Sequence, residues 1–190
     1  MPGPRLILAS ASPRRADILE SLGIPFRAVV SGVDETLAPG ESGEGAAERL
    51  ARAKALAVAA GETLPVLGAD TVVVLGGEVL GKPTSPADAA GMLRRLAGRR
   101  HDVITGVCFV VGGETVSGQE RTEVSFAPMS DDDIAAYVAT GEPMDKAGAY
   151  HVDGRGAQFV AALYGSPSNV AGLPVRLVFE LAHRAGLTLV

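Results

Sequence analysis

The chain has no tryptophan, a single cysteine and few aromatic residues of any kind, 4% of 190 positions. One thiol, Cys108, excludes an internal disulfide framework and a cysteine-rich zinc site, and it suits a reducing cytoplasm. Its place in an apolar run marks it as core. Nowhere do five charges of one sign follow one another, and Lys+Arg 17 against Asp+Glu 22 gives a net charge of −5. Neither nucleic acid nor an anionic membrane surface is therefore indicated as a partner. No stretch approaches the ~18 apolar residues of a membrane span, and Leu6–Ala9 is too short for the apolar core of a signal peptide, so an unexported, cytoplasmic chain is expected. His101, His151 and His183 lack metal-ligand spacing and there is no Gly-x-Ser-x-Gly elbow, which leaves histidine-based and serine-based catalysis without support.

What the chain does have is 47% hydrophobic and 21% charged residues, the balance of a globular protein, and a length that suits one domain over 1–190, cleft into two lobes. Leu6–Ala9 reads as a buried strand. Ser12-Pro13 then supplies a cap and a proline at the first helical position, for a helix from Pro13 to about Leu22 closed by Gly23. A second, Ala-rich helix is expected from about Glu44 to Ala60. Pro65–Leu75, the turn Gly76-Gly77 and Glu78–Leu80 read as strand, hairpin and strand. Ser85-Pro86-Ala87-Asp88 resembles a capping box that opens a helix to about Ala97. Strands at His101–Val111 and Thr115–Phe126 follow, then a helix from Ser130 and its three aspartates to Ala139, a strand at Ala157–Leu163 and a closing helix over Pro174–Ala185. Hairpins mixed with strand-to-helix connections imply an α/β fold with a mixed sheet.

Several charged residues sit where local rules disfavour them. Arg14 and Arg15 occupy the first turn of a helix, opposing its dipole, unless an anion gathers the helix N–H groups, a guanidinium and the Ser10 and Ser12 hydroxyls. The alternative is solvated arginines beside a capping serine. Lys54 falls on the apolar face with Ala47, Leu50, Ala51 and Val58, either snorkelling to the rim or paired. Asp70 stands inside Val66–Leu75 on the face of Val66, Gly68, Val72 and Val74, and Gly68 is expected to leave open space beside it. A buried carboxylate there needs a cation or several donors. Gly76–Lys82 nearly satisfies GxxxxGK[ST], but Pro83 replaces the magnesium-binding hydroxyl and disfavours a helix start at Lys82, so a P-loop is rejected. Asp34-Glu35 could hold a metal or be solvated. Together these cations and carboxylates suit a polyphosphate with a hard divalent ion.

The motifs Ser10–Arg15 (SxSPRR), Asp34-Glu35, LARAKA around Lys54, GADTVV around Asp70, GKP at Lys82, Thr105-Gly106, DKAGAY from Asp145 and GSPSNVAGLP from Gly165 are, in this order, similar to those of the Maf family of nucleoside triphosphate pyrophosphatases. The resemblance implies the ITPase-like (Maf) fold, a twisted mixed sheet with flanking helices forming two lobes around a cleft, often as a homodimer. It implies hydrolysis of a nucleoside triphosphate to the monophosphate and pyrophosphate with Mg2+ or Mn2+. Asp70 matches the proton acceptor, Ser10, Arg14, Arg15, Lys54 and Lys82 match phosphate-binding positions, and Glu35 with Asp70 lies nearest the metal. Arg14, Thr71 and Lys146 resemble the dTTP/UTP subgroup. Asp153 departs from it, since a glutamine is usual there and the 7-methyl-GTP subgroup carries a glutamate. The competing readings are 7-methyl-GTP hydrolysis and a non-catalytic nucleotide sensor associated with septum formation.

Overall fold

The computed structural model describes residues 3–190. Among these residues, seven strands form one mixed sheet: β1 Leu6–Ala9, β2 Phe26–Ala28, β3 Val66–Leu75, β4 Glu78–Leu80, β5 Arg100–Val111, β6 Glu114–Phe126 and β7 Val160–Tyr164. Their order is β2-β1-β3-β5-β6-β7, with β4 also pairing β3. β1 runs parallel to β2 and β3, and the remaining pairings are antiparallel. The helices are α1 Pro13–Ser21, α2 Gly43–Ala59, α3 Pro86–Leu96, α4 Asp131–Ala139, the single turn α5 Pro167–Val170, and α6 Val175–Arg184. Among the described residues no helix is long and apolar enough to cross a membrane.

Side-chain alternation along β3 divides the core between the two faces of the sheet. Val66, Cys108 and Val110 meet Ala51, Ala55 and Val58 of α2, which covers one face. On the opposite face Leu67, Ala69, Val107 and Phe109 pack under α1 and α6 at one end. Val73, Val103, Val124 and Phe126 pack under α3 and α4 at the other. Thr71 and Thr105, between these two clusters in register, carry hydroxyls where the neighbouring positions carry methyls. The two lobes therefore join at a polar seam.

Gly68 does not provide open space. A Cβ there would lie 2.3 Å from the Ala51 carbonyl oxygen, and one at Gly106 would lie 2.2 Å from that of Ala47. Both glycines let the backbone of α2 rest directly on the sheet, which brings the Lys54 side of the helix down onto β3.

The caps show a second departure. Ser12 makes no capping bond from its side chain; its N–H instead donates to Ser10 Oγ at 3.1 Å. Ser85 accepts from the Asp88 N–H, but the Asp88 carboxylate reaches Thr84 rather than returning to Ser85, so the reciprocal half of a capping box is absent. At Ser130 and Asp133 both halves form. The strand expected from Ala157 begins at Val160, because Arg155–Phe159 coil into a 3-10 turn; β2 and α5 are too short to leave a periodic signature.

Candidate active site

The cleft opens at a gap in strand pairing. β1 accompanies β3 only as far as Ala9 opposite Gly68, and β4 joins only at Leu80 opposite Val73. Between them, Ala69–Val72 presents a free edge, and a cavity of about 820 Å3 lies against it. Asp70 and Thr71 stand in this gap and, being consecutive in a strand, point to opposite faces. Around them the cavity is lined by Ser10, Arg14 and Arg15 from the β1–α1 junction, Glu35 from the irregular segment 29–42, and Lys54 of α2. Lys82 beyond β4 and Lys146, between the 3-10 turns Glu142–Asp145 and Ala147–Ala149, add two more cations, and Asp17 and Asp145 also line the wall, Asp145 being bonded to Lys146. Asp153 does not line this cavity. It sits in a shallower adjoining hollow with Arg14 and His151.

On the α2 side, charges alternate in a short ladder. Lys54 Nζ lies 2.5 Å from Asp70 Oδ1 and 2.6 Å from Glu35 Oε1, and Lys82 Nζ lies 3.1 Å from Glu35 Oε2. Lys54 is 6% exposed and does not snorkel; the two carboxylates satisfy it in place. Partial burial raises the Glu35 pKa, but the hydrogen bonds and charges of Lys54 and Lys82 outweigh it and leave the carboxyl below its ordinary value. Asp34, beside it in sequence, is exposed and turns back on the Thr36 N–H and hydroxyl. Of that acidic pair, only Glu35 reaches the site.

On the opposite side of β3, Arg15 is buried at 8% exposure with no carboxylate within ion-pair distance among the described residues. Burial lowers its pKa. Its Nε donates to the Gly172 carbonyl at 2.7 Å, Nη1 to Ser10 Oγ at 3.1 Å and Nη2 to Thr71 Oγ1 at 3.0 Å. A guanidinium has five N–H bonds, so two remain for a ligand at the cavity wall. Ser10 Oγ accepts from both Ser12 N–H and Arg15, which leaves its hydroxyl proton free to donate. A buried guanidinium without a counter-ion, beside a free hydroxyl donor, is built for an anion.

Glu35 and Asp70 converge on a common cation, Lys54 Nζ, with hard oxygen donors. Among the described residues no cluster of three or more His, Cys, Asp or Glu side chains could enclose a metal by itself. Magnesium is ordinarily held by one or two carboxylates, waters and substrate phosphates, and this pair fits that mode rather than an all-protein cage.

Some contributors carry no individual signal in the sequence. Asn169 is fully buried; its amide nitrogen donates to the Val103 carbonyl and Thr122 Oγ1, both at 2.9 Å, and this fixes the turn that delivers the Gly172 carbonyl to Arg15. His101 lies beneath the cleft wall with Nε2 2.9 Å from the Tyr150 hydroxyl, and burial pushes its pKa down to about 4. The polar, glycine-bearing segments from Asp145 and Gly165 mark loops of the kind that line clefts, but not which side chain does so.

The chain matches the Maf-like protein family over residues 5–185. It belongs to the Maf family. The dTTP/UTP pyrophosphatase of Moorella thermoacetica is 53% identical over 93% of this chain and 93% of that protein. The protein of the same name from Symbiobacterium thermophilum is 49% identical over 96% and 94%, and that of Escherichia coli O157:H7 is 47% identical over 93% and 90%. The Staphylococcus aureus Ham1 protein superposes with a TM-score of 0.54 at 16% identity, covering 95% of this chain and 98% of that one, and so shares the fold.

Proposed function

We propose that this Maf protein hydrolyses dTTP and UTP to the nucleoside monophosphate and pyrophosphate. The observation that carries the reading is the division of the cleft at Asp70 and Thr71: a carboxylate held by Lys54 on one side and an uncompensated guanidinium on the other. The names and near full-length identity of the relatives supply the substrate class.

The triphosphate enters as a counter-ion for Arg15, Lys54 and Lys82, with the Ser10 hydroxyl donating to a phosphate oxygen. Lys54 and Lys82 exchange carboxylate partners for phosphate ones, and this releases oxygens of Glu35 and Asp70. A divalent cation held by those two carboxylates and the phosphates would neutralise phosphate charge and acidify a water. Asp70 takes the proton of the water that attacks the α-phosphorus, and the lysines and Arg15 hold the charge that accumulates on departing pyrophosphate. Magnesium and a cytoplasmic setting belong to this reading, as does a homodimer.

Arg14, Thr71 and Lys146 form the base-facing part of the proposal, and Asp153 shares the adjoining hollow with Arg14, whose charge it and Asp145 favour against burial. Product analysis tests the chemistry: pyrophosphate and nucleoside monophosphate are expected in equal amounts, with no release in EDTA. Orthophosphate and nucleoside diphosphate as first products would place attack at the γ-phosphorus and remove the mechanism. In the same assay kcat/KM for dTTP and UTP is expected to exceed that for 7-methyl-GTP.

A further inference from the structure

Thr71 and Thr105 face each other across β3 and β5, with their hydroxyl oxygens 2.9 Å apart. Their other partners fix which one donates. A guanidinium only donates and a carbonyl only accepts. Arg15 Nη2 donates to Thr71 Oγ1 at 3.0 Å, and the Thr105 hydroxyl gives its one proton to the Asn169 carbonyl at 3.0 Å. Thr105 must then accept from Thr71, whose own proton points away from the cleft. Asn169 holds this order in place, because its buried amide nitrogen is tied to the Val103 carbonyl and Thr122 Oγ1. With one lone pair of Thr71 taken by Arg15, a single lone pair remains for a ligand. Thr71 therefore differs from Ser10, whose proton is free.

We propose that Thr105 is a positioning residue that keeps Thr71 an acceptor-only contact, and that the group Thr71 accepts from is the N3–H of a uracil or thymine ring. The inference deepens the pyrimidine reading above and rests on it. Uracil and thymine carry a proton at N3, whereas cytosine presents a bare lone pair there, which would face the lone pair of Thr71. Discrimination of this kind comes from leaving two acceptors opposed in a desolvated site. Sugar hydroxyls are donors too, but UTP and CTP share them.

The test measures kcat and KM for UTP, CTP and N3-methyl-UTP with the wild-type protein, Thr105→Val and Thr105→Ser. The wild-type protein is expected to favour UTP over both analogues by about tenfold or more. Thr105→Val frees the Thr71 proton to turn towards the ligand, and is expected to narrow the UTP:CTP ratio by about tenfold, chiefly through KM. Thr105→Ser restores the ratio. Equal use of the three substrates by the wild-type protein overturns the proposal, and this arm stands even if Thr105→Val fails to fold. A uniform loss on all three substrates in Thr105→Val also overturns it, assigning Thr105 a purely structural role. Calorimetric binding of UMP against CMP reads the same polarity without turnover: tighter UMP binding supports it and equal affinity overturns it. No pyrophosphate from either UTP or dTTP would instead be a failure of the proposed activity.

Discussion

At the scale of single residues, the cleft separates two ways of keeping a charge buried. Lys54 is neutralised by two carboxylates, so either one alone can still accompany it. Asp70→Asn consequently leaves Lys54 with Glu35 and should preserve the fold. In the proposed mechanism it removes the proton acceptor, and kcat for pyrophosphate release is expected to fall by roughly 100-fold or more, with nucleotide binding retained. Near-normal turnover in this variant, with binding followed by calorimetry, would reassign Asp70 to an ion pair of structural purpose. Arg15 follows the other course. It has three neutral acceptors and, among the described residues, no counter-ion, a state that costs stability in the empty protein and favours any phosphate that enters.

At the scale of elements, the position of Lys54 depends on how closely α2 lies against β3 and β5. Asp70 is in register with Gly106, and Gly68 with Cys108, so both missing side chains lie under the helix. Gly106→Ala would set a methyl 2.2 Å from the Ala47 carbonyl oxygen, and backbone cannot yield as a flexible side chain does. The helix must move, at an expected cost of about 1–3 kcal/mol. Because the move carries Lys54 away from Asp70, turnover should fall as well. Gly118→Ala, whose Cβ would meet only the Leu177 and Leu181 side-chain tips at 3.4 Å and beyond, provides the control. Thermal melting and kinetics on the pair check the argument: equal effects from both substitutions would show that close helix approach is not what matters.

Across the whole molecule, pH couples stability to the core packed under α3 and α4. His101 stacks edge-on against Phe126 and Tyr150, and in the folded protein its pKa is pushed down to about 4 from the ordinary 6.5. Between those two values the unfolded chain binds a proton that the folded chain refuses, so stability falls as pH drops through this window. The loss by pH 5 is expected to be roughly 2 kcal/mol. Urea midpoints at pH 7 and pH 5 measure it, and His101→Gln should flatten the difference; an unchanged slope would show that other groups carry the acid sensitivity.

The sequence alone determined most of the elements and the identity of the charged residues. Helices α1 to α4 and α6 and the long strands carry their signals locally, in periodicity, caps and terminal glycines, and the misplaced charges at Arg15, Lys54 and Asp70 were visible because each breaks a local rule. β2, α5 and the start of β7 were not legible, since they hold too few residues to express a period, whereas the equally short β1 and β4 are marked by an apolar run and by the Gly76-Gly77 turn. Tertiary structure decided the partners. Whether Gly68 left space or admitted a helix, whether Lys54 snorkelled or paired, and which of Asp34 and Glu35 entered the site all depend on segments distant in the chain. The direction of the Thr71 hydroxyl depends on Asn169, nearly a hundred residues away in sequence. Hydrogen bonds and ion pairs act over a few ångströms in space, so a residue's type records what it could bind but not what the fold sets beside it.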